Sequence, residues 1–247
     1  MAAMRRALIV LLPGLATAPG FMDAIGAEMA ARLEEHGFQT ETESVYAYGD
    51  WSRSVILQTA EIGYDLALPP TRYGRSIGAA RLRSRLSELV CGRLAGAEGP
   101  LEVLMLCHSG GGMAGMHGAR WLRHQKGELV RVRTVLIGTP KCRVRAEERQ
   151  DVLAITFSPR PRRFIAGDPV RLFGVWGGWE RPSGIRMRWN RDKHAPAVQL
   201  EIPIVGGHPD YFRGHLPYAD EAGMTNLQKT AGGIEQWLIH QWDRERG

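Results

Sequence analysis

A serine hydroxyl becomes a useful nucleophile when a base takes its proton and fixed donors hold the oxyanion that its attack creates. Residues 107–111 of this chain read Cys-His-Ser-Gly-Gly, placed after the apolar run LEVLMLC and before a stretch of helical composition. Small residues two positions either side of Ser109 are what a sharp strand-to-helix turn requires, because larger ones would meet neighbouring backbone. Such a turn lifts the hydroxyl above the carboxyl edge of a sheet. The helix that starts beyond it aims free N–H groups and its positive dipole end at developing negative charge. Cys107 stands where glycine is commoner, and it is only slightly larger than alanine or serine.

By these five residues, and by the order of the elements around them, the chain resembles the α/β-hydrolase superfamily, the lipase- and esterase-like serine hydrolases. The resemblance implies a triad in the chain order serine, acid, histidine. It also implies an acyl-enzyme intermediate, a small-molecule acyl substrate (an ester first, a thioester or amide after it), no organic cofactor and no metal. The histidines beyond Ser109 are His117, His124, His194, His208, His215 and His240. His208 directly follows EIPIVGG at the end of the last apolar run, where the family places its base; His215 is the second choice. The acid expected after the run DVLAITF is Asp168, set between Gly167 and Pro169 as in a tight turn. Its blander reading is a turn aspartate paired with an arginine. The N–H groups of Gly110 and of Leu15, in the Pro-Gly-Leu-Ala turn after the first strand, are the expected oxyanion donors. Trp176 and Trp179, with Phe173 and Trp189 nearby, are expected to line an acyl pocket, or else only to pack their loop onto the domain.

Two other readings compete for the same turn. Gly110, Gly112 and Gly115 also fit G-x-G-x-x-G, which would make the chain an NADP-binding oxidoreductase. The strand after it ends Ile-Gly-Thr-Pro-Lys without the acid that binds ribose hydroxyls, although Lys141 and Arg143 suit a ribose phosphate. The remaining reading is a non-catalytic hydrolase-like binding protein, in which the glycines serve close packing alone.

Short apolar runs alternate with helical patterns along all 247 residues, which predicts an α/β fold with a mainly parallel sheet and helices on both faces. The expected strands are 6–12, 38–45, 101–107, 130–138, 151–157 and 198–207. The expected helices are 21–36, 76–94, 113–126 and 226–244. Residues 46–74 read as an irregular excursion. Residues 158–196 form a long Trp-rich connection of the kind that builds a cap or lid. One hydrolase domain, 1–247, accounts for the whole pattern.

Composition narrows the classes further. Hydrophobic residues at 44% supply a full core, and no run approaches the roughly 18 apolar residues of a membrane span. The formal charge is +6, but arginines alternate with acids, as in RLEEHG and RAEERQ, which argues against nucleic acid. Three cysteines without a CxxC pair fit neither a disulfide framework nor a structural zinc site, and they suit a reducing, cytoplasmic setting. The first eighteen residues have the look of a short signal peptide, but Pro13-Gly14 interrupts the apolar stretch, so a buried strand is the preferred reading.

Overall fold

A computed structural model describes residues 5–94, 99–159, 168–181 and 186–246. Its centre is a six-stranded sheet made of β1 (Arg5–Leu12), β2 (Phe38–Ser44), β3 (Leu101–His108), β4 (Val130–Ile137), β5 (Val152–Pro159) and β8 (Val198–Ile204). The spatial order is β2-β1-β3-β4-β5-β8, and every neighbouring pair is parallel. All six expected strands are present. The segment that resembles a signal peptide supplies β1, which is paired on both sides.

Both faces of the sheet are covered, which is why the central strands are nearly continuous apolar runs. Leu8, Val10 and Leu12 of β1, with Val103, Met105 and Cys107 of β3, face α3 (Ile77–Leu94) and α4 (Gly111–Lys126). The alternate residues Ile9, Leu11, Leu104 and Leu106 face α1 (Asp23–Glu35) and α5 (Asn226–Arg246). The chain winds one way from β1 to β2 and the other way from β1 to β3, so the helices that follow β1 and β3 cover opposite faces of the sheet. The edge between them is the usual place for a ligand in an open parallel sheet. Ser109 follows β3 directly, and the Pro13-Gly14 turn follows β1.

Two segments depart from expectation. Within the supposed irregular stretch 46–74 lies α2 (Val55–Ala67), followed by a 3-10 turn, Pro70–Arg75. The apolar pattern hides this helix because it is inverted. Val55, Ile56 and Leu57 are exposed, whereas Gln58 and Asp65 are fully buried. The Asp65 carboxylate accepts from Tyr48 Oη (2.6 Å), Ser76 Oγ (2.7 Å) and the N–H groups of Ile77 and Gly78 (2.9 Å each). It thereby caps the start of α3 from another helix. The long connection 158–196 contains an antiparallel hairpin, β6 (Gly178–Glu180) and β7 (Arg188–Asn190). Residues 160–167 and 182–185 of that connection lie outside the described residues.

The approach of α4 to β1 is close enough to exclude a methyl group. A Cβ added at Gly111 would lie 2.0 Å from the Leu12 carbonyl oxygen, a backbone atom that cannot swing aside. Gly111→Ala should therefore destabilise the fold by about 1–3 kcal/mol or more, a fall in Tm of roughly 3–10 °C at this chain length. Gly63, within α2, has nothing within 4 Å of a built Cβ. Gly63→Ala should be neutral or stabilising by up to about 1 kcal/mol. Thermal unfolding of the two variants side by side checks this; equal Tm values would refute the close-approach account.

Candidate functional site

The turn after β3 adopts the geometry that the sequence calls for. Ser109 has φ of +52°, in the left-handed region that a residue with a side chain seldom occupies. Its N–H donates to the Ile137 carbonyl (3.1 Å), which carries the β3–β4 ladder into the turn. The Gly112 N–H donates back to the Ser109 carbonyl (3.1 Å) and closes the first turn of α4. Cys107 fits because Gly115 lies opposite: a Cβ there would fall 2.2 Å from the cysteine Sγ. Burial pushes the Cys107 thiol up from its ordinary range, so it stays protonated and serves packing. Ser109 itself is half-buried.

The turn after β1 lies against this elbow. A Cβ on Gly14 would stand 2.6 Å from Ser109 Cβ and 2.7 Å from the Gly110 nitrogen, so only glycine allows the two turns to touch. Ala16 has φ of +49°, and its N–H donates to Gln58 Oε1 (3.0 Å). The other end of the Gln58 amide donates to the carbonyls of Asp50 (2.7 Å) and Arg53 (3.0 Å). Among the described residues, the N–H groups of Leu15 and Gly110 have no hydrogen-bond partner. Ile62 of α2 reaches over the elbow, with its Cδ1 2.5 Å from where a Gly110 Cβ would lie.

His208 and Asp168, forty residues apart, meet at the same edge. The Nδ1–H of His208 donates to both carboxylate oxygens, at 2.9 and 3.0 Å. Asp168 is buried and also accepts from Tyr211 Oη (2.9 Å) and from the Val170 N–H (3.0 Å). Burial by itself would raise the Asp168 carboxyl. The hydrogen bond and charge of His208, then Val170 and Tyr211, outweigh it and hold the group below the usual carboxylate range. Tyr211, pushed up by burial and by the Asp168 charge, remains a donor. The paired partner of Asp168 is thus a histidine, not an arginine.

What ties this pair to the elbow is His108, the residue before the serine. Its ring stacks on His208 with centroids 4.7 Å apart, and its Nε2 donates to the His208 carbonyl (3.2 Å). On the other side, Gly138 lies against the pair: a Cβ there would be 2.6 Å from Asp168 Oδ2 and 3.1 Å from His208 Cε1. The loop after β8 is shaped by Asp210, which accepts from the Gly207 N–H (2.9 Å), and by buried Asn226, which donates to the Val205 and Asp210 carbonyls.

The other expected residues fall elsewhere. His215 is exposed, bonded through Nδ1 to the Leu216 carbonyl and packed on Tyr218. Trp176 donates through Nε1 to the Cys142 carbonyl (3.0 Å) and walls a small pocket beside the site. Trp179 is 57% exposed and packs edge-on against Trp189 across the β6–β7 hairpin. Among the described residues, no group of three or more His, Cys, Asp or Glu is placed to hold a metal ion, and no helix is long and apolar enough to cross a membrane. The sequence reading assigned no role to His108, Tyr211 or Gln58. The position of His108 inside the elbow and of Tyr211 three residues after His208 were available signals; Gln58 carried none.

The environment of His108 makes a pH prediction. It is buried among Phe21, Tyr211, Phe212 and His208. Burial, reinforced by His208, lowers it from the ordinary 6.5 to about 3. Between those values the unfolded chain binds a proton that the folded chain refuses. The stability contribution is therefore full above the unfolded value and is lost as pH falls toward the folded one. From pH 7 to 4.5 the loss is about 2–3 kcal/mol. His108→Phe should flatten this part of the curve, as urea unfolding at the two pH values would show; an equally steep fall in the variant removes the account.

No family model matches the chain, and no curated protein matches it. Among solved structures, one described as "Putative hydrolase from Agrobacterium vitis" is 11% identical to this chain, covering 96% of it and 90% of that protein, with a TM-score of 0.48.

Proposed function

We propose that the chain is a serine hydrolase that cleaves an acyl ester, with Ser109 as nucleophile, His208 as base, Asp168 as the orienting acid, and the N–H groups of Leu15 and Gly110 as oxyanion donors. The observation that carries this reading is the His208–Asp168 pair clamped by His108 onto the sheet edge where Ser109 stands in a left-handed turn. With Nδ1–H committed to Asp168, the neutral ring keeps its Nε2 lone pair as a proton acceptor.

The chemistry follows from the groups. Ser109 Oγ attacks the carbonyl carbon while its proton passes to His208 Nε2. The oxyanion is held by two N–H groups that need not break other bonds first. Collapse of the intermediate expels the alcohol, which leaves with the proton from His208, and an acyl-serine remains. Water then attacks the acyl carbon, His208 takes its proton, and the carboxylic acid departs as the serine is restored. A thioester or amide would follow the same course. The resemblance to α/β-hydrolases favours this reading of the whole chain, 1–247, as one domain with 158–196 as its cap. The position of Ile62 over Gly110 counts against the dinucleotide reading, because a pyrophosphate at the glycine turn would need that space.

A fluorophosphonate probe tests the proposal. Wild type should become labelled with the adduct mapped to Ser109, and Ser109→Ala should abolish labelling while folding normally. His208→Ala should cut turnover of 4-nitrophenyl esters by about 10³-fold or more, and Asp168→Asn by a comparable factor. A well-folded wild-type protein that takes no label would point to the non-catalytic binding role.

A further inference from the structure

Beside the site, on the α4 face of the sheet, a pocket opens over the carboxyl end of β4, the middle of β5 and the amino end of β8. Its polar lining is Thr139, Lys141, Thr156, Arg171, Trp176 and Gln199. No acid lines it. Among the described residues neither Lys141 nor Arg171 is in an ion pair, and the nearest acid on the Arg171 turn, Asp168, is committed to His208. Lys141 Nζ rests over the Trp176 ring, 5.9 Å from its centroid. Two unneutralised cations, two hydroxyls and an amide around one cavity form a receptor for an anion. The cavity measures about 30 Å³, room for roughly two water-sized centres, which matches the two oxygens of a carboxylate better than the larger tetrahedral phosphate.

The pocket is built from the same two segments as the site. Lys141 lies three residues beyond Gly138, which touches Asp168 and His208. Arg171 lies three residues beyond Asp168, and its N–H donates to the Asp168 carbonyl (3.2 Å). The Lys141 N–H donates to the Phe173 carbonyl (2.8 Å), and Trp176 Nε1 to the Cys142 carbonyl (3.0 Å), so the segments are laced together. Thr139, on the pocket wall, also packs on Gly112 of the elbow helix.

We infer that this pocket binds a carboxylate at the far end of the acyl chain, so that the preferred substrate is a half-ester of a dicarboxylic acid; the inference rests on the hydrolase reading for its substrate and on the pocket alone for its ligand. The pocket centres about two strands from β3, roughly 10 Å at the spacing of a sheet. An extended chain covers that in about eight bonds at roughly 1.2 Å each, the span of suberate from its acyl carbon to an oxygen of the far carboxylate.

The test has two independent arms. In the first, suberate should quench tryptophan emission saturably in wild type and in Ser109→Ala, and dimethyl suberate should not. Trp176→Phe should remove the signal, and Lys141→Gln and Arg171→Gln should each weaken binding at least tenfold. In the second, wild type should hydrolyse mono-4-nitrophenyl suberate at least tenfold better in kcat/KM than its methyl-capped analogue, and either substitution should bring that ratio toward one. Suberate binding that depends on Lys141 in a protein no fluorophosphonate labels would keep the pocket and discard the hydrolase. Ester hydrolysis with a ratio near one, and no suberate-dependent quenching, would discard the pocket and keep the hydrolase. Tighter competition by inorganic phosphate than by suberate would overturn the carboxylate assignment.

Discussion

The whole site depends on two turns touching where β1 and β3 end. Ser109 can hold φ of +52° only because its surroundings determine it: its N–H is tied to Ile137, Gly14 presses on its Cβ, and α4 closes over Leu12 without room for a methyl group. A left-handed residue with a side chain costs on the order of 1–3 kcal/mol and persists where packing overrules it. The strain is therefore a consequence of the sheet. Parallel strands buried on both faces set the register, and the register brings the two turns together.

Charge is then placed around that turn with little freedom. Asp168 is an ionised group removed from water, and it is tolerated because four hydrogen bonds, from His208, Tyr211 and Val170, replace its hydration. The neighbouring His108 takes the opposite course and remains neutral, since burial in an aromatic box strips an imidazolium of its hydration and the stacked His208 adds to that cost. A neutral His108 can donate through one ring nitrogen only. That proton goes to the His208 carbonyl and fixes the loop that carries the candidate base. One residue in the elbow thereby positions a group a hundred residues further along.

The strands were legible because burial on both faces leaves a signal that does not depend on partners: continuous runs such as ALIVLL and LEVLMLC. His208 was legible for a related reason, since it follows one of those runs directly. Asp168 was readable from the residues alone only as a turn aspartate, and its expected role beside His208 came from the family resemblance. Its pairing depends on where β8 sits beside β5, which local sequence does not encode. Helix α2 was invisible because its polar residues Gln58 and Asp65 face inward and satisfy backbone ends of other elements, while Val55, Ile56 and Leu57 face out. A reading that assumes apolar residues point to the core must miss a helix whose two fully buried residues are polar, with Ile62 and Leu66 only partly buried against the core. Tyr211 escaped for the same reason, being a donor to a carboxylate known only in three dimensions.

The segments 138–141 and 168–171 each contribute a residue to the candidate centre and, one turn later, a cation to the neighbouring pocket. Geometry alone couples the two. Whatever fixes Gly138 against Asp168 also fixes Lys141 relative to Arg171, because the Lys141–Phe173 and Trp176–Cys142 bonds span the same pair of segments. An anion held between the two cations would brace the turn from which Asp168 reaches His208. Binding at a distance from the reacting carbon can then be expressed as better alignment at the imidazole, which is how binding energy away from the chemistry comes to raise a rate rather than merely tighten a complex.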